Sequence, residues 1–477
     1  MFQGKGKWII GVFLLFIMAG VGIFLLLQPL TAAEKEAAPT PGVGPKGETV
    51  AASTSSNGQP APSAEGENAQ KKEEGEHIQK KEESLEVVIG LVTPELGPYS
   101  KQGQEQIRGA EMAVEEINAQ GGILGKKIRM LVRNSKSNPR VAKENALELF
   151  EREKISMLFG GVSSAVALTL GKVARQNEKP FFAVTAYSTD LTTEEGHKYF
   201  FRESPDSRMA AKALAGYLNA NFSGRRFFYL TVDDNWGWTT EEIFRKLTDT
   251  TDKNDHRGFL TYLGADDYRS VLQLVQELNT EVLVLVLFGR DLEIALKQAY
   301  EMGLKNTIQI VVPVVTLDMA LGVGPEVMEG VLSTTPWFWK VPFEGNFSKG
   351  MEFVKKYEEK YNRYPCSTAA SAYVVVHQYK EAVERAKTFE TAEVIKALEG
   401  HRYTGVKDEQ EWRAFDHQSI QTVYAVRGKK AEAVKKDKYQ ADFFEVIHKV
   451  RGEEAAITKE EWEAARDAVS APPMLEE

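Results

Sequence analysis

Between Val87 and Met130 the sequence reads as a strand, a Gly/Pro turn, a helix, a Gly turn and the start of a second strand. Ile107, Ala110, Val114 and Ile117 recur at spacings of three and four, which lays one apolar stripe along a helix, and Gly121 and Gly122 end it. This is a βαβ opening. Open α/β sheets bind ligands at the carboxyl ends of their strands, so the turn from Gly97 to Gly103 is the first place to look for function.

The alternation continues. Ile128, Met130 and Val132 predict a second strand, Val141 to Phe150 a helix, Ile155 to Gly161 a buried strand and Pro180 to Thr185 the next. From Tyr199 a second βα series begins, with strands at Phe227 to Val232, Phe259 to Leu263 and Val282 to Phe288 and helices near Thr239 to Leu247 and Tyr268 to Leu278. Such alternation implies doubly wound parallel sheets with helices on both faces. At 477 residues the chain exceeds what one core usually supports, so two such lobes are expected. Thr458 to Ala468 reads as a short amphipathic helix in a tail over 456–477.

The amino-terminal part is of another kind. Trp8 to Leu27 is an unbroken run of apolar and small residues, with Lys5 and Lys7 before it and no positive charge after it until Lys35. That length spans a bilayer, and the charge bias keeps the amino terminus in the cytoplasm. Residues 1–30 are therefore expected to be a transmembrane signal anchor or, since Leu30-Thr31-Ala32-Ala33 offers a small-residue cleavage site, a signal peptide. Either way the rest lies outside the cytoplasm, periplasmic or held at the inner membrane. Residues 31–84 are Ala, Pro, Gly, Ser, Glu and Lys, too poor in large apolar side chains to offset ordering entropy, and read as a disordered linker.

A net charge of -9 argues against nucleic acid as a partner, and the single cysteine, Cys366, excludes an intramolecular disulfide framework. Gly-x-Ser-x-Gly, His-Glu-x-x-His and Cys-x-x-Cys are absent, and the seven histidines are scattered. Gln120 to Lys127 lacks the spacing, the Ser/Thr and the preceding strand of a phosphate loop. The expectation is no enzyme, no metal and no cofactor.

The run Gly109-Ala-Glu-Met-Ala-Val-Glu-Glu-Ile-Asn-Ala-Gln-Gly-Gly-Ile-Leu-Gly-Lys-Lys-Ile128, with Gly97-Pro98 before it, resembles the opening of the branched-chain amino-acid binding proteins, type I periplasmic solute-binding proteins of ABC importers. The resemblance implies a bilobed domain over 85–455 with a three-segment hinge crossing near Pro205, Phe288 and Tyr403. Lobe 1 would take 85–205 and 288–403, and lobe 2 would take 206–287 and 404–455. Closure about a trapped solute is the motion such a hinge permits.

A cleft of this kind needs short polar groups at strand ends. Gly161-Val162-Ser163-Ser164 follows a buried strand and opens a helix, so Ser164 can offer a hydroxyl and nearby N–H groups to a carboxylate, the role the resemblance implies; the plain alternative is a helix cap. The resemblance likewise implies cleft positions at Thr185, at Tyr187 where a threonine is usual, and at Trp236, with Gln102 in the place of a first-loop aromatic for which Tyr99 can substitute. No acid stands before Asp267-Tyr268 where the family's ammonium partner is expected, so an amine-free carboxylate or an amide is as compatible as an amino acid. The implied function is capture of a small amino acid or related solute and delivery to an ABC permease in the membrane. The alternative is a membrane-tethered sensor built on the same module.

Overall fold

A computed structural model describes residues 85–475, which lie within one compact unit, Lys80–Glu477. The expected anchor at 8–27 and linker at 31–84 lie outside the described residues. Among the described residues, no helix is long and apolar enough to cross a membrane.

Strands β1 (Glu86–Thr93), β2 (Lys127–Asn134), β3 (Met157–Gly160), β4 (Phe181–Ala183) and β5 (Phe200–Arg202) form a five-stranded sheet in the order β2-β1-β3-β4-β5. All its pairs are parallel, as in Ile89↔Met130, Leu91↔Phe159 and Phe182↔Phe201. The chain then enters a second series, β6 (Phe227–Val232), β7 (Arg257–Thr261), β8 (Val282–Val286), β9 (Gln309–Val312) and β10 (Leu332–Thr335). A small antiparallel sheet follows, β11 (Arg402–Thr404), β12 (Glu409–Trp412) and β13 (Ser419–Ile420), before β14 (Val423–Gly428) and β15 (Phe444–Val450). The second large sheet has seven strands in the order β15-β14-β10-β9-β8-β6-β7. Its β6 to β10 pairs are parallel, while β14 pairs antiparallel with both neighbours, so this edge departs from the all-parallel expectation.

The central strands are buried along their whole length, Val282–Val286 and Phe227–Val232 above all, because helices cover both faces. The opening helix is Ser100–Ala119, and it packs lengthwise on helix Ser367–Ala386. Gly109 allows that approach, since a Cβ there would stand 2.0 Å from the Ala369 carbonyl oxygen.

The lobe assignments from sequence need correcting in two places. Residues 309–335 were expected with the first sheet, yet β9 and β10 pair in the second, so the chain does not cross near Phe288. Residues 404–420 were expected in the second lobe, yet Trp412 of β12 packs edge-on to Phe182 and Phe201 of the first sheet. The sheets are joined instead after Arg202, after Thr335 and between Ile420 and Val423.

The carboxyl-terminal helix forms at Lys459–Ala468, opened by a capping box between Thr458 and Glu461. It is docked rather than a free tail. Trp462 is fully buried and donates its Nε1 to the Thr192 carbonyl at 2.8 Å, and Arg466 donates to the carbonyls of Thr193 and Gly196.

Candidate functional site

Strand order decides where the site lies. In the first sheet the order reverses between β1 and β3, and in the second between β6 and β8. A crevice opens at such a switch point, outside the carboxyl ends of the strands. The residues that follow those four strands, with Tyr187 after β4, line one cavity: Tyr99, Val162, Ser163, Ser164, Tyr187, Asp234, Trp236 and Phe288. Two switch points therefore share one pocket.

The first-sheet side offers donors. Gly160 (φ +123°) and Gly161 (φ +75°) make the turn out of β3; a Cβ on Gly160 would lie 2.3 Å from the Val92 carbonyl oxygen. The turn delivers the chain into helix Ser164–Gln176, whose N-cap Ser163 makes no side-chain cap. The first-turn N–H groups thus keep their positive end for the cavity. Ser164 Oγ accepts the Ser188 N–H at 3.2 Å and keeps its own proton to donate.

The second-sheet side offers an acid and rings. Asp234 caps helix Asn235–Leu247 through the Gly237 N–H at 2.9 Å, and burial raises its pKa. Asp291, close enough to act on Tyr99, is pushed up to about 6, chiefly by burial; its Oδ2 accepts the Gly264 N–H and its Oδ1 has no partner. The Phe288 ring is the centre of the wall, 5.8 Å from Tyr99, 5.9 Å from Tyr187 and 6.0 Å from Trp236. The Trp236 indole N–H is buried without a partner.

The lobes meet on both sides of this cavity. Arg290 N–H donates to the Pro98 carbonyl at 3.0 Å, Lys101 pairs with Glu293 at 2.7 Å, and Asn235 Nδ2 donates to Asp190 at 2.7 Å. Gly289 (φ +60°) permits the first contact, since a Cβ would stand 2.7 Å from both the Pro98 oxygen and the Tyr99 ring. The molecule is closed over its cleft.

Of the residues singled out in the sequence, Ser164, Tyr187, Trp236 and Tyr99 come together in the cavity. Two do not. Gln102 is buried in a bond to Asp318, a contact between lobes rather than part of the lining. Thr185 accepts from Gln106 Nε2 at 3.0 Å and faces a neighbouring cavity shared with Tyr187, Glu203 and Lys407. Sequence reasoning missed Asp234 and Phe288. The strand-to-helix junction at Phe288-Gly289 was a usable signal, but Phe288 was read as a lobe crossing. No acid stands before Asp267, but the cavity does contain one, Asp234, at the end of another strand. Among the described residues, no group of three or more His, Cys, Asp or Glu could hold a metal ion.

Residues 86–433 match the family model described as periplasmic binding protein. The chain belongs to the branched-chain amino-acid type I periplasmic binding protein family. Among curated relatives, a Leu/Ile/Val-binding protein homolog 7 from Brucella abortus (strain 2308) is 28% identical over 331 residues, 66% of this chain and 81% of the relative. Among solved structures, a periplasmic binding protein from Burkholderia mallei is 25% identical with a TM-score of 0.72, covering 79% of this chain and 97% of that one. An ABC-transporter solute-binding protein from Rhodopseudomonas palustris BisB5, in complex with 3,4-dihydroxybenzoic acid, has a TM-score of 0.68 at 18% identity, covering 77% and 98%. Fold and family are those of solute-binding proteins rather than enzymes, and the family implies an extracytoplasmic location for this binding protein.

Proposed function

We propose that this binding protein captures a small amino acid, or a related carboxylate, between its lobes by hinge closure and hands it to an ABC permease in the membrane. One observation carries the reading: the uncapped start of helix Ser164–Gln176 lies in the same cavity as Asp234, with Phe288, Trp236, Tyr187 and Tyr99 around them. A carboxylate suits the helix end and the Ser164 hydroxyl, an ammonium suits the desolvated Asp234, and an apolar or aromatic side chain suits the rings. The curated relative's name, Leu/Ile/Val-binding, agrees with that division.

The test is a thermal-shift screen of the protein against leucine, isoleucine, valine, phenylalanine and tyrosine beside their amine-free acids, benzoate and 3,4-dihydroxybenzoate. A native-state ligand at a hundred times its Kd adds about 2.7 kcal/mol of stability, which a melt detects. Amino acids are expected to shift the melt more than their amine-free counterparts. Shifts by the amine-free acids alone would remove Asp234 from the ammonium role. Importer coupling is tested separately, by uptake of the identified solute in cells lacking the protein; normal uptake would favour a sensor.

A further inference from the structure

We propose that closure of the two lobes takes up one proton on Asp318, which turns its single hydrogen bond to Gln102 into a two-bond acid–amide pair across the cleft. Gln102 stands in the first turn of helix Ser100–Ala119 in the first lobe, and Asp318 in the first turn of helix Leu317–Val323, which follows β9 of the second sheet. Gln102 Nε2 donates to Asp318 Oδ2. Both side chains are buried, at 0% and 4% exposure, and their remaining polar atoms, Gln102 Oε1 and Asp318 Oδ1, are buried without partners. With the acid ionised, both of those oxygens are acceptors, and neither can satisfy the other. A proton on Oδ1 makes it a donor to Oε1, so two orphaned buried acceptors become one hydrogen bond.

The surroundings favour that proton. Burial pushes the Asp318 carboxyl from 3.8 up to about 6, and the nearby charges of Glu105, on the opening helix, and Glu293, on helix Gly289–Glu301, push the same way. The Thr316 hydroxyl, just before Asp318 in the chain, acts in the opposite direction. The neighbouring cations are engaged elsewhere: Lys101 with Glu293 at 2.7 Å, Arg108 with Glu105 at 2.5 Å and Arg363 with Glu105 at 3.5 Å. The described residues give Asp318 no ion pair. Tyr187 and Cys366 also face it, and burial keeps both of them protonated.

Opening the cleft would part Asp318 from Gln102 and return the carboxyl to water. The carboxyl then holds its proton more tightly in the closed form than in the open one. The proton favours closure in full below pH 3.8, and the advantage is lost as pH rises through 6. From pH 7 to pH 5 the closed-to-open ratio should therefore rise about tenfold. A solute that binds only the closed form gains affinity by the same factor. The inference rests on the reading that the lobes open and close, and is independent of which solute they close upon.

Exposed Leu96 and Tyr262 lie on opposite lobes, each two residues from the Pro98–Gly264 approach. The test is the full chain carrying Leu96→Cys and Tyr262→Cys, labelled with a pyrene maleimide whose excimer emission reports closure; the natural Cys366 is buried and a poor background reactant. Without solute, excimer emission should rise from pH 7 to pH 5. Asp318→Asn supplies a permanent N–H for Gln102 Oε1 and should give strong excimer emission at both pH values. Gln102→Leu should close less at pH 5 than the parent, and Asp318→Lys should stay open throughout. An excimer signal unaffected by pH in the parent would overturn the proposal. So would a parental pH response in Asp318→Asn, which would move the proton to another acid such as Asp291. Strong excimer emission in Asp318→Lys would show that the lobes do not part, and would remove hinge closure together with its proton.

Discussion

Replacing Trp462 with alanine should destabilise the protein heavily, although the residue stands fifteen places from the last residue of the chain. The ring is fully buried, lies 5.4 Å from Phe415 and 4.9 Å from the Arg466 guanidinium, and donates its indole N–H to the Thr192 carbonyl. Truncating a buried Trp or Phe costs about 3–5 kcal/mol, and here the Thr192 carbonyl also loses its donor. A solvated tail helix would instead tolerate the change within about 0.5 kcal/mol. Carried to a domain of this size, each kcal/mol lowers Tm by roughly 1–2 °C, so a fall of roughly 5 °C is expected by differential scanning fluorimetry. The effect should reach the cleft. Thr192 Oγ1 accepts from Arg202 at 2.6 Å, Arg202 also donates to the Ser188 carbonyl, and the Ser188 N–H donates to Ser164 Oγ. Ligand affinity should therefore fall along with Tm. Wild-type melting in Trp462→Ala would refute the docking argument outright.

Three further outcomes can be checked. Ser164→Ala should weaken a carboxylate ligand by about 1–3 kcal/mol in calorimetric titration, the cost of a lost hydrogen bond in a desolvated site; unchanged affinity would take Ser164 out of the site. Asp234→Asn should weaken amino acids more than their amine-free acids, because only the former lose a counter-charge, and equal losses would assign Asp234 to capping alone. His197 has its pKa lowered from 6.5 to about 3, first by burial and then by the positive charge of Arg175. A depressed folded pKa means that its stability contribution is whole above pH 6.5 and is lost as pH falls toward 3, roughly 5 kcal/mol in all. Denaturant midpoints should therefore fall less steeply with acid in His197→Asn than in wild type, and parallel slopes would show that the imidazole is not held neutral.

The sequence made local structure legible and left long-range assembly obscure. Ser164 could be found because a buried strand, a Gly turn and a helix start are written within ten residues, from Ser156 to Ala165. Phe288 could not be placed by the same means: that Val282–Val286 is a strand follows from its apolar run, but its position between β6 and β9 is a property of the sheet. Periodicity likewise marks Gln309–Val312 and Leu332–Thr335 as apolar without saying which of two sheets they extend. Asp234 escaped notice as a possible counter-charge because it also caps a helix, and one side chain can serve both purposes. Trp462 was invisible for a simpler reason. An amphipathic helix near a terminus looks the same in sequence whether its apolar face meets protein or solvent.

The three connections between the sheets converge on one side chain. Lys407 is buried, and its Nζ donates to the Pro336 carbonyl at 2.9 Å, the Thr422 carbonyl at 2.9 Å and Gln421 Oε1 at 2.6 Å. Gln421 in turn donates to the Glu203 carbonyl, so the first connection is tied to the other two. Burial lowers the Lys407 pKa from 10.5 to about 8, against the opposing pull of Asp408 and Glu203. For a base with a depressed folded pKa, the cost of burying the charge is fully present below pH 8 and is relieved as pH rises to 10.5. That relief is worth up to about 3 kcal/mol. A lysine that costs stability at neutral pH can still fix geometry, because its three acceptors hold the hinge strands at set separations. Lys407→Met should therefore lose the alkaline rise in stability and loosen the closed state. The measurements are denaturant midpoints from pH 8 to 10.5 and the radius of gyration in solution scattering. A variant with wild-type alkaline behaviour and wild-type radius would show that the ammonium neither carries that cost nor sets the hinge.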